Sequence, residues 1–273
     1  MPYALPLEFC QNGARMKNIE FSAERILSLT NCPAVRVFDS IDSTNTAAKA
    51  MAANNSAHGE VVIARLQTSG RGRLGRSFCS PEGGLYMSII LRPTIRGEDA
   101  LKLTAVAAVA VAEAIEKHTS HKALIKWVND VYIGGKKVCG ILTEASLKQD
   151  GGIEYAVLGL GVNLYTPRGG FAEEIADIAT ALDKDNLDEN ELAADIINLF
   201  MEYYHDLDNV DILNKYRERQ MLVGKKVSVI RFDGEKRDAV AIGVDDDCHM
   251  VVEYDDGRQE AVFSGEVSLR IKG

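Results

Sequence analysis

Apolar residues fall into two rhythms along this chain. Short β-favouring runs recur at Val35-Arg36-Val37-Phe38, Val61-Val62-Ile63-Ala64 and Leu85–Leu91, each of strand length. Leu124–Ile133 and Lys136–Glu144 flank Gly134-Gly135 and predict a β-hairpin. Tyr155–Leu164 is almost wholly apolar, as a central strand would be. Elsewhere the period lengthens. Leu101, Leu103, Val106, Val109, Ala110 and Ile115 predict a helix ending near Lys117, and Leu192, Ile196, Leu199, Phe200 and Tyr203 predict a second over 188–207. Shorter helices are expected over 22–29, 47–52 and 211–221, with Ser22 and either Asp42 or Ser43 as N-caps.

From Gly224 onward the pattern changes to short strands, Lys226–Phe232, Ala239–Val244, Met250–Tyr254, Glu260–Phe263 and Val267–Ile271. Turns such as Asp233-Gly234 and Asp255-Asp256-Gly257 separate them, which predicts a small β-barrel. The expectation is an α+β fold in three parts: a short N-terminal extension over 1–34, a main domain over 35–221 and a second domain over 222–273.

One connection breaks both rhythms. Between Ala64 and Leu85 lie Gln67-Thr68-Ser69-Gly70-Arg71-Gly72-Arg73-Leu74-Gly75-Arg76-Ser77 and then Gly83-Gly84. Connections longer than about 12–15 residues inside a compact domain are usually functional or disordered. Arg71, Arg73 and Arg76 supply fixed positive charge and forked donors that suit carboxylate or phosphate. Gly70, Gly72 and Gly75 let backbone approach a ligand closely. A solvated basic hairpin and an RGG-like nucleic-acid segment are the competing readings; a Walker A loop is excluded, because no Gly-Lys-Ser/Thr closes the stretch.

Other polar residues interrupt apolar runs. Ser43, Thr44 and Asn45 stand at a strand-to-helix junction, where capping accounts for one of them and ligand binding for several. Lys126, Asn129, Asp130 and Lys137 bracket the hairpin, either as a solvated end or as a site. Gly159 and Gly161 inside the central strand mark a bulge or a close approach, and Asn163 ends that strand.

Composition narrows the classes. A formal net charge of −9 over 273 residues is not that of a general nucleic-acid binder, so the arginine loop is a local exception. Five scattered cysteines form no CxxC pair or zinc spacing, and His118 and His121 read as surface residues. No apolar run reaches about 18 residues and no signal-peptide pattern opens the chain, which predicts a cytoplasmic protein without a membrane partner.

Asp42-Ser43-Thr44-Asn45, Gln67-Thr68-Ser69-Gly70-Arg71-Gly72-Arg73, Lys126-Trp127-Val128-Asn129-Asp130, Lys137-Val138-Cys139-Gly140-Ile141-Leu142, Gly159-Leu160-Gly161-Val162-Asn163 and Gly265-Glu266-Val267-Ser268-Leu269-Arg270 together resemble, in order, the biotin protein ligase family. The resemblance runs from about residue 35 to the end. It implies a mixed-sheet catalytic domain related to class II aminoacyl-tRNA synthetases and biotin-lipoate ligases, followed by an SH3-like barrel. It also implies that biotin and ATP, with Mg²⁺, react to biotinyl-5′-AMP, and that the biotinyl group passes to a lysine of a biotin carboxyl carrier domain.

By that resemblance Lys137, Arg71 and Arg73 are the catalytic cations. Ser43, Thr44, Asn45, Gln67, Gly70, Gly72, Gly140, Gly159 and Gly161 join them around biotin. Arg73, Arg76, Phe78, Lys126, Asn129, Asp130, Asn163 and Arg270 stand on the nucleotide side, with no dedicated protein metal site. Three positions depart from the family pattern: Leu74 where a further arginine is common, Phe78 where a tryptophan is, and Val128 where a proline is. Family members often dimerise through a sheet edge, which by analogy leaves a homodimer open. A lipoate-type ligase is the nearest alternative enzyme. A biotin-responsive DNA-binding repressor is the alternative from another class, and about 34 residues with one candidate helix predict no DNA binding here.

Overall fold

The computed structural model describes residues 19–231, 233–263 and 267–271, the last group without the side chains of 267–270. A seven-stranded mixed sheet forms the centre. Its strands are β1 (Val35–Ile41), β2 (Val61–Gln67), β3 (Gly84–Leu91), β4 (Leu124–Lys126), β5 (Asp130–Ile133), β6 (Lys136–Leu147) and β7 (Ile153–Asn163), in the spatial order β1-β2-β3-β7-β6-β5-β4. Only β1 and β2 run parallel; every other neighbouring pair is antiparallel.

Alternation along the strands sorts side chains onto two faces. Val61, Ile63, Met87 and Ile89 join the large core, whereas Val62, Ile90 and Val157 pack beneath α2 (Thr44–Ala53) through Ala48 and Ala52. The large core is closed by α3 (Ala100–His118), α4 (Glu189–Tyr204) and α5 (Val210–Glu218). α3 is buried on almost every side because its alanines and valines let the sheet and two helices approach it together.

α1 (Ala23–Leu29) docks on α4. Ser22 N donates to Asn190 Oδ1 at 2.8 Å and Asn190 Nδ2 returns a bond to Glu20 O at 2.8 Å. The C-terminal strands β8 (Lys226–Arg231), β9 (Lys236–Val244), β10 (Met250–Tyr254), β11 (Gln259–Val262) and β12 (Val267–Ile271) form a five-stranded antiparallel sheet. That sheet is fastened to the rest through the indole of Trp127, which donates to Cys248 O at 2.9 Å, and through Arg217 Nε, which donates to Val244 O at 2.9 Å.

Of the two expected N-caps of α2, Ser43 is the one observed: it accepts from Thr46 N, and the helix starts at Thr44. Two sequence expectations change. The run Leu124–Ile133 is not one strand: β4 and β5 pair antiparallel with Lys126 opposite Asp130, so Trp127-Val128-Asn129 is a tight turn. His118 is not a free surface residue; its Nε2 lies 2.5 Å from Asp195 Oδ2 on α4. No helix among the described residues is long and apolar enough to cross a membrane.

Candidate active site

On the α2 face of the sheet, three glycines remove the side chains that would otherwise cover it. Gly140 on β6 pairs with Gly161 on β7, and Gly159 lies between Leu142 and Ser88 of the flanking strands. Over this trough lies the arginine loop, which carries more internal hydrogen bonding than its sequence suggests. Gln67 N donates to Ser80 O at 3.0 Å, Phe78 N to Gly70 O at 2.9 Å, and Gly72 N to Arg76 O at 2.7 Å, closing a small hairpin. Thr68 N and Ser69 N tie its base to Ile41 O and Asp42 O. Glycine is required at position 70, where a Cβ would overlap Phe78 O and Ser80 Oγ.

Trough and loop enclose a cavity of about 470 Å³, including its open mouth. Its floor carries Gly140, Gly159 and Gly161, its α2 wall Ser43, Thr44 and Asn45, and its roof Gln67, Arg71, Gly72, Arg73 and Phe78. Lys137 and Asn129 close the far end. Gly70 braces the loop from behind. Arg76, Lys126, Asp130 and Asn163 do not line the cavity. Arg76 is exposed, Lys126 lies over the Tyr132 ring, and Asn163 Nδ2 donates to Thr180 O at 2.9 Å. The Arg270 side chain lies outside the described residues.

Each cation of the cavity rests on a protein acceptor. Lys137 Nζ is 2.6 Å from Asp130 Oδ1, Arg73 Nη1 donates to Asn129 Oδ1 at 3.0 Å, and Arg71 Nη2 is 3.5 Å from Glu144 Oε1. Burial pulls the Arg73 guanidinium below its ordinary pKa, and the charge of Asp130 offsets part of that effect. The turn bearing Asn129 is rigid: Ile141 N donates to Asn129 O at 2.9 Å, Asn129 Nδ2 to Ile141 O at 2.8 Å, and Tyr216 Oη to Val128 O at 3.1 Å.

The glycines accommodate protein as well as empty space. A Cβ at Gly161 or Gly140 would press on the Phe78 ring, which lies on both, with Lys137 Nζ 5.7 Å from its centroid. A Cβ at Gly159 would collide with the Asn45 amide. Asn45 is 4% exposed and fully engaged: Ser88 Oγ bonds its Oδ1 at 2.7 Å, and its Nδ2 reaches Glu144 Oε2 at 2.9 Å and Leu142 O at 3.3 Å. It therefore shapes the wall, while Ser43 and Thr44 offer hydroxyls beside it. Gln67 Oε1 accepts from Thr44 N at 2.8 Å and its Nε2 donates to Ser80 Oγ at 2.9 Å, which fixes the amide's direction.

Sequence reasoning missed two residues that support this wall from behind. Ser88 is the one polar residue in the buried strand Leu85–Leu91, and that break in an apolar run was the available signal. Glu144 gave none, since a carboxylate near a strand end reads as solvated.

Residues 37–163 match the biotin/lipoate A/B protein ligase family and residues 222–270 match the biotin protein ligase C terminal domain. A biotin--[acetyl-CoA-carboxylase] ligase of Paracoccus denitrificans is 31% identical over 82% of this chain and 98% of its own length. The chain belongs to the biotin protein ligase family. Biotin protein ligases outside this match agree with it. The bifunctional ligase/repressor BirA of Bacillus subtilis is 33% identical over 85% of this chain and 72% of its own. The biotin protein ligase of Aquifex aeolicus, solved in complex with biotin and ATP, superposes with a TM-score of 0.74 at 29% identity, covering 87% of this chain and 99% of that one.

Proposed function

We propose that this chain is a biotin protein ligase that activates biotin with ATP to biotinyl-5′-AMP and passes the biotinyl group to a lysine of a biotin carboxyl carrier domain. The observation that carries the reading is the cavity itself. Its floor is glycine backbone flanked by the Phe78 ring and the Asn45 amide, one wall presents neutral hydroxyl and amide groups, and Arg71, Arg73 and Lys137 converge from the other side. That division suits a flat, neutral head with an anionic tail.

Biotin's carboxylate is the nucleophile on the α-phosphorus, so no serine, cysteine or histidine nucleophile is needed. The protein's part is to align two anions and stabilise the charge that builds as pyrophosphate leaves. Lys137, exchanging Asp130 for substrate oxygens, would meet carboxylate and phosphate together. Arg73 and Arg71 would fold the loop over the adenylate and shield it from water. Ser43, Thr44 and Gln67 would satisfy the ureido group, where an unpaired buried polar atom costs about 1–3 kcal/mol.

On the nucleotide side we assign Asn129 and Phe78, with Arg76, Lys126, Asn163 and Arg270 as outer residues that reach the nucleotide only if the loop and C-terminal sheet close on it. Mg²⁺ would enter with ATP, and Asp130, the ion-pair partner of Lys137 behind the cavity lining, is a carboxylate that could meet it there. The ion's contribution, when bound, is to neutralise phosphate charge. We further assign residues 35–221 as the catalytic domain of the class II synthetase-like type and 222–273 as an SH3-like barrel, preceded by the 1–34 extension. The acceptor is a carrier domain of a biotin-dependent carboxylase, in the cytoplasm.

ATP–pyrophosphate exchange tests the reading. Exchange should depend on biotin and not respond to lipoate; exchange with lipoate alone would move the chain to the lipoate branch, and none with either would reject adenylation. A gel-shift with operator-like DNA should be negative with and without biotin.

A further inference from the structure

Glu144 lies behind the cavity wall, yet donors from two elements on either side of the cavity converge on it. Lys49 Nζ of α2 is 2.7 Å from its Oε1, Asn45 Nδ2 of α2 is 2.9 Å from its Oε2, and Arg71 Nη2 of the loop is 3.5 Å from Oε1. The carboxylate is 21% exposed, while Arg71 is 49% exposed. Lys49 is its close partner, so Arg71 can leave for a ligand without stranding a buried charge.

The Asn45 contact has a second consequence. An amide can turn over, exchanging oxygen for nitrogen. With Nδ2 held by an anion, Oδ1 must face Ser88, and Ser88 Oγ in turn lies 2.8 Å from Thr44 Oγ1. Glu144 Oε2 and Leu142 O together set the direction of the Asn45 amide; Ser88 then donates to Asn45 Oδ1 and accepts from Thr44 Oγ1, and Glu144 at the same time draws the loop's first arginine toward α2.

We propose that Glu144 is a positioning residue for the vitamin-binding end of the cavity, reinforcing with Leu142 O the direction of the Asn45 amide in its α2 wall and drawing Arg71 of the loop toward that wall before ligand arrives. The inference rests on the biotin ligase reading. Its mechanism is preorganisation: binding then orders fewer groups.

The test compares wild type, Glu144→Gln and Lys49→Met in the full chain. Glu144→Gln keeps the shape and removes the charge; its new NH₂ can also face Asn45, leaving the longer bond to Leu142 O alone to hold the amide. Biotin KM in ATP–pyrophosphate exchange should rise roughly threefold to tenfold while kcat stays within about twofold, the scale expected for one partly exposed ion pair plus one misoriented hydrogen bond. In the ligand-free protein, trypsin should cut faster at Arg71, Arg73 or Arg76. Lys49→Met leaves Asn45 and Arg71 attached to Glu144 but makes Arg71 its remaining counter-charge, so KM should also rise, because releasing Arg71 to a ligand now strands the carboxylate, while cleavage in the ligand-free protein should be no faster than in wild type. If Glu144→Gln leaves both quantities unchanged, or if Lys49→Met speeds cleavage as much as Glu144→Gln does, the carboxylate has a merely structural role and the inference fails. Absence of biotin-dependent exchange in the wild type would instead remove the parent reading. The trypsin comparison still stands in that case, because it needs no substrate.

Discussion

Replacing Gly159 by alanine probes how the cavity wall is built. The added Cβ would fall within bonding distance of Asn45 Oδ1, 2.7 Å from its Cγ and 2.9 Å from its Nδ2, and all of these belong to a side chain without room to retreat. The amide must swing away and lose its bonds to Ser88, Glu144 and Leu142. A buried polar group left unpaired costs about 1–3 kcal/mol and overpacking a further 1–3 kcal/mol, so the sum is about 2–6 kcal/mol. At about 2–4 °C per kcal/mol for a domain of this size, Tm should drop by roughly 4–24 °C, read by circular dichroism. Biotin affinity measured by calorimetry should fall with it.

The double variant Gly159→Ala/Asn45→Ala separates this cause from a general dislike of alanine in β7. Asn45→Ala removes the group that is struck, so the double variant should lie within about 0.5 kcal/mol of Asn45→Ala alone. A Gly159→Ala protein melting within a degree or two of wild type, or a double variant that shows the two losses simply added, would refute the collision.

Other expectations follow from the same contacts. Lys137→Ala should slow adenylate formation by on the order of 10²–10³, the scale of removing a preorganised charge-stabilising donor, and single-turnover rates within threefold of wild type would reject its role. Burial works to raise the carboxyls of Glu144, Asp195 and Glu260, but hydrogen bonds from Lys49 and Asn45, from Lys117 and His118, and from Tyr254 and Arg231 outweigh it and leave all three below their ordinary values of 4.5, 3.8 and 4.5. Their contribution is therefore fully present above about pH 4.5 and is lost as pH falls through the lowered folded-state values, so urea midpoints should decline on acidification below that point. Burial pushes the thiols of Cys139 and Cys248 up to about 12, so iodoacetamide at pH 8 should leave both unlabelled in the native protein and reach them on unfolding.

Much of the architecture was legible because burial enforces period. The runs at Val61, Leu85 and Tyr155 became neighbouring strands, and Gly134-Gly135, both at positive φ, turn β5 into β6. The turn at Trp127-Val128-Asn129 escaped because it carries neither glycine nor proline, and Trp127 and Val128 are as apolar as the strands beside it. His118 escaped because Asp195 lies 77 positions away, and spacing cannot report such a pairing. Within the site, the arginines and glycines stood out by composition, but which of them face the cavity depends on strand register. Register brought Gly159 under Asn45 and Gly161 under Phe78, and it turned Asn163 toward Thr180.

If loop, glycine floor and α2 wall together make an activated biotinyl group and deliver it to a carrier lysine, intact-mass spectrometry of a biotin carboxyl carrier domain incubated with this protein, ATP, Mg²⁺ and biotin should show it. The carrier should gain one biotinyl group, and the gain should disappear when ATP or biotin is omitted or when the acceptor lysine is replaced; an unmodified carrier in the complete mixture would contradict that role.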